Sequence, residues 1–73
     1  MSVLQDLREL AEAVAALRLS PRMDRRLQEL MDRNSNGQLT EIDRADLEAL
    51  VEMSETISLL RAKALLLLGR KPA

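Results

Sequence analysis

The 73-residue chain contains no Cys, His, Trp, Tyr or Phe. Lacking Cys and His, it offers no thiol chemistry, no imidazole acid or base, and no ligand set for zinc, haem or an iron–sulfur cluster. The same absence removes the disulfide staples expected of a small secreted domain, which points to the cytoplasm. Lacking aromatics, it has no platform on which single-stranded nucleic acid could stack. Its net charge of −1 sets up no global field toward DNA or membrane. The leucine run at 65–68 falls far short of the roughly 20 apolar residues of a membrane span. Asp6 and Glu9 stand where a targeting segment would be basic and then apolar.

What is present is globular in kind, with 47% hydrophobic and 32% charged residues. A core of this size rarely supplies more than about 3–5 kcal/mol, so small domains lean on a staple, a metal or a partner. Leu and Ala dominate the apolar set, while strand-forming β-branched and aromatic residues are scarce or missing. The fold class is therefore all-α, in a single helical domain over residues 1–73 that ends in a short basic tail at 70–73.

Three helices follow from start and stop signals. Ser2 with Gln5 forms a capping box, and Leu4, Leu7, Leu10 or Ala11, Val14 and Leu17 then recur at helical steps, predicting a helix over 3–18. Ser20-Pro21 restarts the chain as N-cap and first helical residue. Met23, Leu27, Leu30 and Met31 stripe a second helix over 21–33, which stops at Asn34-Ser35-Asn36-Gly37. Thr40 with Asp43 opens a third helix over 41–68, closed by Gly69 as the left-handed stop with Pro72 beyond it. A tight turn at 34–40 makes the second helix and the first half of the third an antiparallel hairpin.

The third helix, at about 42 Å, is far longer than the other two. Leu50, Met53, Ile57, Leu60, Ala64 and Leu67 step along it at coiled-coil spacing. Leu47, Val51, Ala62 and Leu65 widen that stripe, and Leu59, Leu66 and Leu68 face elsewhere again. From residue 59 the helix is apolar nearly all round, which calls for burial on more than one side. The first helix covers only one, so the expected assembly is a dimeric bundle: a homodimer, or a complex with a partner helix, built on Leu50, Met53, Ile57, Leu59, Leu60, Ala64, Leu66, Leu67 and Leu68. Charge agrees. Residues 1–31 sum to zero, residues 32–55 to −5 and residues 56–73 to +4. Acid early and base late complements the macrodipole of the helix, and it also favours an antiparallel over a parallel pair.

One segment carries metal chemistry in its pattern. In residues 32–43, oxygen side chains stand at Asp32, Asn34 and Asn36, then Gly37, the Gln38 carbonyl, Thr40 and finally Asp43. This spacing resembles the twelve-residue EF-hand calcium loop, and the resemblance implies ligands from Asp32, Asn34, Asn36, Gln38, Thr40 and Asp43. The pattern departs from the family in three ways. Asp replaces Glu at the last position, only two of the ligand positions carry a carboxylate, and no second loop exists to pair with. Such a site would bind at the weak end, around 10⁻⁴ M or worse. A plain helix–turn–helix connection needs the same residues without an ion, because Asn and Gly accept left-handed backbone and Thr40 with Asp43 caps a helix. We take the turn as the first reading and calcium as the alternative; no other cofactor is expected.

A second resemblance rests on Asn34-x-x-Gly37-x-Leu39-Thr40, then 47–52 (LEALVE) and 59–65 (LLRAKAL). Over residues 27–69 the chain looks like a group of short bacterial helical proteins encoded beside endonuclease or toxin-like genes. The likeness implies an antitoxin-like or accessory role, and variation at the loop acids among those relatives, which favours a structural turn. Arg18, Arg22, Arg25 and Arg26, with Arg33, cluster near the second helix. They either form a solvated face or touch a DNA backbone through a helix-turn-helix, and we prefer the former because the chain is not basic overall. Catalysis is not expected, since no base or orienting partner can be assigned to Ser, Thr, Lys or the carboxylates. No small-molecule substrate is evident. Met23, Met31 and Met53 read as core gap-fillers.

Overall fold

In the computed structural model, which describes residues 2–71, the chain folds into helices α1 (Val3–Ala15), α2 (Pro21–Ser35) and α3 (Glu41–Leu67). The described residues contain no strand. Each helix begins where the sequence supplies an oxygen. The Ser2 hydroxyl accepts from the Gln5 N–H at 3.0 Å, Ser20 from Met23 at 3.2 Å and Thr40 from Asp43 at 3.1 Å.

The helix ends differ from expectation by one to three residues, each for a local reason. The first helix, expected to reach 18, ends at Ala15. The Arg18 guanidinium folds back to donate to the Ala15 and Leu17 carbonyls at 3.1 and 2.7 Å. Ser20, which precedes Pro21, is held extended, at φ −59° and ψ 153°. The second helix runs two residues beyond 33 because Gly37, at φ +67°, closes it in a Schellman turn. There the Gly37 N–H donates to the Asn34 carbonyl and the Gln38 N–H to that of Arg33. The third helix stops at Leu67 rather than 68 by the same device. Gly69, at φ +72°, donates to Leu66, and Arg70 donates to Leu65. Pro72 and Ala73, part of the expected basic tail, lie outside the described residues.

The chain divides into two compact units, one of Met1–Arg18 with Thr56–Ala73 and one of Leu19–Glu55. We refer to them as unit 1 and unit 2. Unit 2 is the expected hairpin and has a core of its own. Leu30 is 0% exposed and packs with buried Leu27 and Leu50, and Leu19, Met23, Leu39 and Leu47 close around them. Unit 1 is built differently. Its buried residues, among those described, are two alanines, Ala11 on α1 at 8% exposure and Ala64 on α3 at 2%. Small side chains at a helix contact let two backbones approach closely but bury little apolar surface. No helix among the described residues is long and apolar enough to cross a membrane.

Candidate functional site

The two buried alanines of unit 1 line an open groove of about 640 Å³. Leu4, Leu7, Leu10 and Val14 of α1 line it together with Leu60, Leu67 and Leu68 from α3 and the residue that follows it. Arg8 and Lys63 add cationic groups to an otherwise aliphatic lining. The walls are not covered. Leu4 is 79% exposed and Leu67 83%, and Leu7, Leu10 and Leu60 are exposed as well. Val3, Leu17, Leu59 and Leu66 extend the open apolar surface of this unit beyond the groove. Arg70 makes a bidentate pair with Glu12, at 2.7 and 3.0 Å, which ties the chain just after α3 to α1. That hydrogen bond, with the guanidinium charge, holds the Glu12 carboxyl below its ordinary range.

The candidate interface residues separate into two groups. Met53, Leu59, Leu60, Leu66 and Leu67 are exposed, while Ile57 and Leu68 are half-buried. Leu50 and Ala64 are not available to a partner. Leu50 is part of the unit 2 core, and Ala64 lies in the close contact of unit 1. Both were expected on the seam because heptad spacing alone does not distinguish a stripe met by the chain's own helices from one left open.

In unit 2 the residues of the calcium-like pattern are arranged around a different structure. Asp32 and Asn34 lie in the last turn of α2 rather than in a loop, and the Asn34 carbonyl accepts from Gly37. Asn36 is the C-cap, Gln38 donates its N–H to the Arg33 carbonyl, and Thr40 caps α3. Asp43 is buried, with Oδ1 accepting from Arg26 at 3.2 Å and Oδ2 from Arg33 at 3.0 Å. Both oxygens that a bidentate ligand would turn to an ion thus face guanidinium groups. Among the described residues, no three acidic side chains gather as a metal-holding group.

Burial alone would push the Asp43 carboxyl up. The hydrogen bond and charge of Arg33, aided by the hydroxyl and N–H of Thr40, outweigh it and hold the group below the usual carboxylate range. The reading of the sequence missed this clasp, although Arg26 and Arg33 are seven residues apart and so share a face of α2. The signal lay in pairing that face with Asp43 across the hairpin.

Of the four arginines considered for nucleic acid, two are engaged within the chain. Arg18 bonds the carbonyls at the end of α1, and Arg26 pairs with Asp43, with Asp46 at 3.4 Å and with Glu29 at 3.7 Å. Arg22 and Arg25 are exposed on α2. No protein-family model, curated protein or solved structure matches the chain.

Proposed function

We propose that this chain is a small, non-catalytic helical interaction module that works by self-association, two copies meeting through unit 1. One observation carries the reading: among the described residues unit 1 fully buries only alanines, while Leu4, Leu7, Leu10, Leu59, Leu60, Leu66 and Leu67 stand open to water. Contiguous apolar surface of this extent marks an interaction site. As the resemblance to antitoxin-like and accessory proteins would have it, such a dimer serves as a subunit for a larger client.

Light scattering behind size exclusion, run with calcium and with chelator, tests the reading. The expected mass is twice 8.2 kDa at tens of micromolar protein, falling on dilution and indifferent to calcium. A mass of one chain throughout overturns self-association. A mass or amide spectrum that follows calcium moves the assignment to the ion-binding hairpin.

A further inference from the structure

A groove between two helices is filled best by a third, whose ridge of side chains enters it. Because Arg8 and Lys63 line this groove, the fitting ridge is apolar with acids beside it. The first half of α3 presents such a ridge. Ile42 is 77% exposed, and Ala45, Ala49 and Met53 follow it at steps of three, four and four, all exposed. This stripe is separate from Leu47 and Leu50, which serve the unit 2 core. Glu48 and Glu52, four residues apart and both exposed, flank Ala49. The charges of the two units are complementary: nine acids to five bases over residues 19–55, and three acids to six bases in the remainder.

Resting on self-association, we propose that the occupant of the groove is the 41–55 segment of a second copy, with the two α3 helices antiparallel about Thr56. Each copy then fills the groove of the other, which makes the contact isologous and closed. In that register Leu67 of one copy meets Ala45 of the other, and Leu60 falls level with Glu52, beside Met53. Lys63 arrives level with Ala49, between Glu48 and Glu52. The leucine near the end of α3 meets a small side chain, Leu60 meets Met53, and cation meets carboxylate. The parallel arrangement does the opposite, crowding leucine on leucine at one end, leaving alanine against alanine at the other and setting Lys63 beside its own copy. The division of α3 into a small-residue acidic half and a leucine-rich basic half is what antiparallel pairing uses. The macrodipole accounts for the order of charge but not for the order of size.

The native chain lacks cysteine, so Arg44→Cys carries one spin label per copy, off the Ala45–Ala49 stripe. The register separates the two labelled positions by 24 helical steps, about 36 Å along the axis. A dipolar distance near that value, allowing for the label arms, supports the proposal. A parallel pair would bring the labels to within about 20 Å, given interaxial spacings of 8–10 Å. That result, or any other separation in a proven dimer, overturns the arrangement and leaves self-association standing. A monomer by light scattering overturns both. As a second arm, Lys63→Glu is expected to weaken the dimer about tenfold, and adding Glu48→Lys to restore it. An unchanged Kd for K63E in a dimer refutes the register.

Discussion

Leu67→Ala separates the role of unit 1 in assembly from its role in folding. In the single chain Leu67 is 83% exposed, so truncation removes almost no intramolecular burial. Ala is also at least as good a helix former, so the helix itself does not suffer. The change deletes three carbons, worth about 0.8 kcal/mol each when fully buried. Scaled by the exposure that a second copy would cover, each chain loses about 2 kcal/mol on association and a symmetric dimer about 4. At 1.4 kcal/mol per decade this raises Kd by roughly a thousandfold. Sedimentation velocity over a dilution series reads the shift, with far-ultraviolet circular dichroism confirming that helix content is kept. A variant that dimerises with the wild-type Kd would show that the exposed end of α3 takes no part in the contact, and the interface would have to lie elsewhere.

Leu30→Ala addresses the opposite end of the same scale. Leu30 is fully buried in the unit 2 core, so its truncation should cost about 2–5 kcal/mol in urea unfolding, comparable to the whole stability of a domain this small. Gly37→Ala places a Cβ on backbone at φ +67° in open space, so strain and not collision sets the penalty, about 1–2 kcal/mol by the same assay. The Asp43 carboxyl titrates below its unfolded value, so its stabilisation is complete above the unfolded pKa and is lost as pH falls through the lower, folded one. Acid unfolding of wild type should therefore show a leg below the ordinary carboxylate range that Asp43→Asn removes. Identical acid limbs for the two proteins would refute the clasp.

The helices were legible because their punctuation is local. Ser2, Ser20 and Thr40 each accept from the residue three ahead, and Gly37 and Gly69 each adopt the left-handed conformation that ends a helix. The largest shift of an end, at α1, goes with an interaction that spacing does not encode, Arg18 folding back onto the carbonyls of Ala15 and Leu17. The exposure of the carboxyl-terminal leucines was legible too, since Leu59, Leu60, Leu66 and Leu67 point in too many directions for one neighbour to cover. The fate of α1 was not. Leu4, Leu7, Leu10 and Val14 read as a stripe that should be buried, yet the residue of that stripe that is buried is Ala11. Hydrophobic periodicity identifies the apolar face of a helix but not what lies against it. The same limit explains Asp43. In sequence it ends an ion-loop pattern, and only the pairing of α2 with α3 shows that two arginines reach it first.

The two units answer the problem of small size in different ways. Unit 2 concentrates its large side chains on Leu30 and seals the turn beside them with a buried carboxylate between two guanidinium groups. It satisfies the charge it buries, which is the condition for burying one at all. Unit 1 fully buries only alanines among the described residues and leaves most of its leucines exposed, an arrangement that gains little from folding alone. With no disulfide and no histidine or cysteine metal site possible, another surface is one source of stabilisation still open to it. A partner that binds only the folded form adds stability by mass action, in proportion to the logarithm of its concentration over Kd. Under the proposed self-association, the open leucines of unit 1 would be the surface that links folding to assembly, and the acidic, alanine-bearing half of α3 its complement.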